Sequence, residues 1–207
     1  MSERQKEVYN AFIRNTPTKF GAIKAAAQDY AKIVMLDVDM IMVDNCDALF
    51  DLKAPAACWG YPRSSKNLAI TPAIDRLNLK TGDKISVRDM ERTLRSGSFC
   101  CWGSVMLCEA TEKAFNEIML NIGTDFSQCH SGPEEQMFAM YCISKGPGTN
   151  IGQGYNRIPW KSYVNDPGKP KIIHYHSSKP WAVARDAWAD LALWWKEHDE
   201  LQKNATN

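Results

Sequence analysis

No two of the seven cysteines stand at the C-x-x-C spacing of a zinc site or a dithiol redox motif, which removes both from consideration. Cys46, Cys58, Cys100, Cys101, Cys108, Cys129 and Cys142 form an odd, scattered set, several inside apolar runs where cysteine behaves as a small hydrophobe. They read as core residues of a protein in a reducing compartment, and a cytoplasmic location is expected. No window approaches the roughly 18 apolar residues of a membrane span, and MSERQKEVYNAFIRN has no apolar stretch for a signal peptide. A charge excess is also missing: 25 Lys and Arg face 24 Asp and Glu, for a net charge of +1 and a pI of ≈ 7.6. Nucleic acid and anionic membrane are thereby excluded as main partners, since both call for a basic surplus. Neither internal repeats nor low-complexity segments occur.

What is present is an ordinary globular composition, 44% hydrophobic over 207 residues. That length suits a single domain, 1–207, able to bury most of its apolar side chains without disulfides or a structural metal. Helical spacing places Val8, Ala11 and Phe12 on one face of residues 5–14, and Phe20, Ile23, Ala27 and Tyr30 on one face of residues 19–30. An apolar strand ending in Leu-Asp-Val-Asp follows, then turn chemistry at Asn45-Cys46-Asp47, the docking segment Ala48-Leu49-Phe50, and a short buried strand at Ala56-Ala57-Cys58-Trp59. Residues 61–98 carry eight Lys or Arg against four Asp or Glu and few large apolar residues, and read as an insertion or cap. Phe99 to Cys108 is a further apolar run. Thr111 then caps a helix bearing Phe115, Ile118, Met119 and Ile122. Gly132-Pro133 opens another helix with Met137, Met140 and Tyr141 on its buried stripe, proline standing where its missing N–H costs nothing. A last strand, Ile172 to Tyr175, and a last helix, Ala187 to Leu201 with Trp188, Leu191 and Trp195 aligned, close the chain. The alternation of helices and apolar strands indicates an α/β fold with a mixed, mostly parallel sheet flanked by helices.

A carboxylate at the end of a buried strand is costly unless something pairs with it, and here there are two, Asp37 and Asp39, at i and i+2. Both can turn toward one point, where Mn²⁺ or Mg²⁺ bridging a phosphate ester would neutralise them. In open α/β sheets ligands bind beyond the carboxyl ends of strands, which is where these residues lie. Near the other end, IHYHSSKPW offers His174 as a third metal ligand and Lys179 as a compact positive charge for a diphosphate.

In order and spacing, these elements resemble glycosyltransferase family 8, the glycogenin-like group with the GT-A fold. The elements are the lysine-bearing Thr18-Lys19-Phe20, LDVD, Asp47-x-Leu-Phe, CCWGSVML, Glu135-Gln136, Tyr155-Asn156 and HYxxxKPW. The resemblance spans residues 18–195. It implies a GT-A-like nucleotide-diphospho-sugar transferase, retaining in stereochemistry, that moves a hexose from a UDP-sugar to a hydroxyl acceptor with Mn²⁺ or Mg²⁺. Carried over position by position, it assigns Asp37, Asp39 and His174 to the metal. It assigns Asp37, Val38, Lys19, Gly103, Lys179 and Trp181 to the donor, and Glu135, Gln136 and Lys19 to the catalytic centre. The developing charge of a leaving diphosphate is best met by a divalent ion and fixed cations, which agrees with those residue types.

The chain departs from that family in three places. A complete β-α-β unit precedes the lysine segment in family members, whereas 17 residues precede Thr18 here, so an N-terminally truncated domain is expected. Cys101 stands where the family has a sugar-contacting Asn, and a thiol cannot supply the amide's paired donor and acceptor. Ser177 and Ser178 shorten the loop before Lys179, which makes His176 a competitor of His174. Two alternatives follow: a non-catalytic transferase-fold scaffold, self-associating through an exposed apolar sheet edge, and, more remotely, a haloacid-dehalogenase-type phosphatase with Asp37 as nucleophile.

Overall fold

The computed structural model describes residues 18–59, 79–95, 100–122, 132–159, 168–176, 179–187 and 191–205. The first expected helix, most of the expected insertion, Cys129, Ser177, Ser178 and Trp188 lie outside them.

The longest described strand is β5 (Trp102–Glu109), seven of whose eight residues are buried. Its side chains divide between two cores, alternating from Val105 to Cys108. Met106 and Cys108 join Phe20, Ile23, Met35, Ile118, Phe138 and Tyr141 on one face, while Trp102, Val105 and Leu107 join Leu49, Ile151, Tyr155 and Ile172 on the other. A strand covered on both sides needs no polar face, which explains why the run reads as continuously apolar. Apolar surface removed from water is worth about 25 cal/mol per Å², so this two-sided burial ties the two cores together through β5.

On one side β5 pairs antiparallel with β1 (Lys32–Leu36), from Lys32↔Glu109 to Leu36↔Val105. On the other it pairs antiparallel with β3 (Ala56–Cys58), whose register shifts between Ala57 and Cys58. Beyond β3 come β6 (Gly148–Asn150), parallel to it, and β4 (Lys84–Ile85), antiparallel to β6. Among the described residues the sheet order is β1-β5-β3-β6-β4, with β1 at an edge. The α/β class and the mixed sheet are as expected, but the described sheet is not mostly parallel: three of its four pairings are antiparallel. Alternation of helix and strand along the chain predicted otherwise, because it gives no information on which strands become neighbours. Here β5 returns between β1 and β3, far from both in sequence.

A second, two-stranded sheet joins β2 (Met40–Met42) to β7 (Ile172–His174), antiparallel, with Met40 opposite His174. Around these sheets lie α1 (Gly21–Ala26), α2 (Val87–Arg95), α3 (Glu112–Met119), α4 (Pro133–Ser144) and α5 (Leu191–Ala205). Thr111 caps α3 as read from sequence, its Oγ1 accepting the Ala114 N–H at 3.0 Å, and Pro133 opens α4. The first described helix is shorter than residues 19–30, and of the last the described part is Leu191–Ala205, with Ala187 in a bend before it.

Of the described cysteines, Cys58, Cys100, Cys101, Cys108 and Cys142 are buried, as expected of core residues, and Cys46 is not. Burial pushes the Cys108 thiol up to about 12 and raises Cys142 well above its ordinary value, while Cys46, only half-buried, is raised as well. Since the thiolate is the nucleophile, iodoacetamide at pH 8 should label Cys46 in the folded protein while sparing Cys108 and Cys142. Peptide mapping checks this: the latter two should react only after unfolding.

Candidate metal and diphosphate site

The β1–β5 ladder continues one residue past β1, the Asp37 N–H donating to the Ser104 carbonyl at 3.1 Å. The chain then turns and re-pairs in the small sheet, where the Tyr175 N–H donates to the Asp39 carbonyl at 2.9 Å. Asp37 therefore hangs from the large sheet and Asp39 from the small one. Between them Val38 is 92% exposed.

Each carboxylate meets a lysine. Lys19 lies in the 3₁₀ turn before α1, its Nζ 3.3 Å from Asp37 Oδ1 and donating to the Gly103 carbonyl at 2.8 Å. Lys179 donates to Asp39 Oδ2 and lies 3.4 Å from the Tyr175 carbonyl. Asp39 is only 6% exposed, and His174 Nε2 stands 3.6 Å from its Oδ1. Burial alone would raise the Asp39 pKa, but the hydrogen bonds and charges of His174 and Lys179 outweigh it and hold the carboxyl far below its usual range.

The tautomer of His174 is set by a buried polar chain. Its Nδ1 is 2.8 Å from Asn156 Oδ1, which also accepts from Ser104 Oγ at 3.1 Å. With Asn156 Oδ1 as acceptor, Nδ1 carries a proton, and Nε2 faces the Asp39 oxygen. A ring nitrogen and a carboxylate oxygen so disposed call for a proton or a cation between them. One ligand atom from each of Asp37, Asp39 and His174 falls within 4.8 Å of the others, a set of two carboxylates and an imidazole that could hold a divalent metal ion. Neither Asn156 nor Ser104 was assigned to the site from sequence. The signal was there for Ser104, a hydroxyl inside an otherwise apolar run; the Asn156 side chain becomes meaningful only beside His174.

His176 does not take the place of His174. Its ring lies edge-on to Trp102, with centroids 5.1 Å apart, and 5.5 Å from the His174 ring. Glu135, expected at the catalytic centre, has Oε1 accepting the Gly103 N–H and Oε2 accepting the Gly132 N–H, each at 2.8 Å, and closes the N-terminus of α4. Gly103 thus receives Lys19 on its carbonyl and Glu135 on its amide. A Cβ there would lie 2.7 Å from Glu135 Cγ and 3.3 Å from Lys19 Nζ, so the absence of a side chain is what lets both approach. Gln136 is 3% exposed in the first turn of α4, buried rather than open to a ligand. Cys101, at the expected Asn position, is 2% exposed and donates to the Glu135 carbonyl at 3.6 Å. Trp181 is 55% exposed and packs on Trp194, ring centroids 5.6 Å apart. The loss of about 3–5 kcal/mol that applies to a fully buried tryptophan therefore does not apply to it.

No family model matches the chain. It is 29% identical over 165 residues to "Uncharacterized protein R707" of Acanthamoeba polyphaga mimivirus, covering 73% of this chain and 50% of the viral protein. The chain thus spans half the length of that curated relative. Among solved structures, the apo structure of the bifunctional glycosyltransferase WbbM superposes with a TM-score of 0.42 at 15% identity, covering 79% of this chain and 32% of that one.

Two outcomes are expected. Gly103→Ala should destabilise the fold by about 1–3 kcal/mol through overpacking against Glu135, measured by urea unfolding. Burial, then the neighbouring Glu134 carboxyl, push Glu135 up to about 8, against the pull of its two N–H donors and Lys19. The folded state then keeps a proton that the unfolded chain releases near pH 4.5. Glu135 therefore contributes a stability that is full below that pH and is lost as pH rises toward about 8. Glu135→Gln should flatten this slope in unfolding free energy measured from pH 5 to 8, whatever its effect on the absolute value.

Proposed function

We propose that the chain is a metal-dependent, retaining glycosyltransferase of the GT-A type that moves a hexose from a nucleotide sugar, a UDP-sugar by its likeness to family 8, to a hydroxyl acceptor. The observation that carries this reading is the convergence of Asp37, Asp39 and His174, flanked by one lysine on each carboxylate. Asp37, Asp39 and His174 would hold Mn²⁺ or Mg²⁺, which when bound supplies a Lewis acid for the charge of the leaving diphosphate. Lys19, fixed by the Gly103 carbonyl, presents an ammonium to that diphosphate from the β1 side. Lys179 presents a second from the opposite end of the cluster. Ser104 and Asn156 hold the His174 ring through Nδ1, with Nε2 turned toward Asp39. Glu135, with both oxygens on backbone N–H groups, acts as a positioning residue that fixes Gly103 and through it Lys19, and the leaving phosphate itself guides the acceptor hydroxyl on the front face.

A second reading, a non-catalytic transferase-like scaffold, is favoured by one observation: two lysines already balance two carboxylates, so the cluster is electrically complete without a ligand. The edge position of β1 supports self-association under that reading. The phosphatase reading has less support. It needs a terminal acidic pair beside the two aspartates, whereas Glu135 is committed to Gly103 and Gly132.

Calorimetric titration with UDP, with and without Mn²⁺, separates the first two. Metal-dependent binding is expected in the wild type, reduced at least about 100-fold in Asp39→Asn and His174→Ala, and about 10–100-fold in Asn156→Ala. No binding in the presence of Mn²⁺, in protein verified as folded, would favour the scaffold.

A further inference from the structure

The two lysines at the cluster are not equivalent. Lys19 has a firm second partner, the Gly103 carbonyl at 2.8 Å, so its ammonium stays in place if Asp37 turns to another ligand. Lys179 is held more loosely: among the described residues its second hydrogen-bond partner, after Asp39 Oδ2, is the Tyr175 carbonyl at a long 3.4 Å. Its side chain is 36% exposed against 8% for Asp39, so it can swing toward solvent while the carboxylate cannot. Asp39 is at the same time a member of the cluster that would hold a metal. An ammonium and a divalent cation therefore compete for one nearly buried carboxylate.

Charge decides the competition. Asp37 and Asp39 are balanced by Lys19 and Lys179, so an ion entering alone must displace Lys179 into a place with no counter-charge, or add its full charge to a neutral cluster. A diphosphate reverses both costs. It gives the displaced ammonium a charge-assisted partner and neutralises the incoming ion.

We propose that Lys179 is a built-in competitor of the metal at Asp39, which leaves that carboxylate readily when a diphosphate receives it and otherwise only at high metal concentration, so that metal and diphosphate bind as one unit and metal alone is held weakly. This rests on the donor-site reading above and adds to it an order of events: the site discriminates against free divalent ions and accepts the metal–diphosphate complex. The linkage is reciprocal, each ligand raising the affinity of the other by the same factor.

The signature is a change of opposite sign in one variant. Mn²⁺ alone is titrated into the protein and followed by loss of the free-ion electron paramagnetic resonance signal. Premixed Mn²⁺–pyrophosphate is titrated by calorimetry, which avoids chelation in the cell. Lys179→Gln should bind Mn²⁺ alone about tenfold tighter than wild type and Mn²⁺–pyrophosphate about tenfold weaker. Lys19→Gln, which removes the anchored cation, should weaken the complex with a smaller gain for the ion alone. A Lys179→Gln protein that binds Mn²⁺ no tighter than wild type, while wild type binds the complex, overturns the exchange and leaves the donor-site reading standing. Wild type that binds neither probe overturns both.

A measurement on the wild type does not depend on the variant folding. Reductive methylation of Lys179, read by mass spectrometry, should be slow in the free protein, faster with saturating Mn²⁺, and slow again with Mn²⁺–pyrophosphate. Equal labelling in all three conditions overturns the proposal.

Discussion

Everything at the candidate site depends on how one nearly buried carboxylate is compensated. Taking Asp39 out of water costs several kcal/mol by itself, and the fold offsets this with an ammonium on one oxygen and an imidazole facing the other. Neither partner is local: Lys179 lies 140 residues away along the chain. The small β2–β7 ladder brings them together, since its register sets Met40 opposite His174 and directs the Tyr175 amide to the Asp39 carbonyl. A slip of one residue in that ladder would turn His174 to the other face and leave Asp39 with a single partner.

The large sheet fixes the other half. Through β1 and β5 it places Asp37 beside Ser104, and Ser104 in turn reaches Asn156 and so His174. Gly103 is the point where this frame meets α4, because Lys19 and Glu135 both close on its backbone. These groups form one connected polar network between two apolar cores, and such networks hold a geometry firmly only when every member is satisfied.

Much of this was legible in the sequence, and what was not has a physical reason. The LDVD segment announced itself because an apolar strand running into two carboxylates violates a simple rule of burial. Thr111 and Gly132-Pro133 were readable as helix starts because capping is local chemistry. Strand direction was not readable, since β3, β6 and β7 are three residues each and carry too little periodicity to show which neighbours they choose. The contacts of Glu135 were not readable for a related reason. A carboxylate three residues into a helix can cap its own N-terminus or serve chemistry, and nothing in the sequence announces its hydrogen bonds to Gly103 and Gly132.

That Asp37 and Asp39 belong to different sheets has a mechanical side. An ion gripped by both, and by His174, would act as a rivet through the seam between the two sheets, adding a cross-link to the core contacts that Ile172 already shares with β5. Occupancy would then be felt as stiffness well away from the ion, along β5 in one direction and along β7 in the other. Val38, projecting outward at the seam, is the residue whose surroundings would register that tightening first.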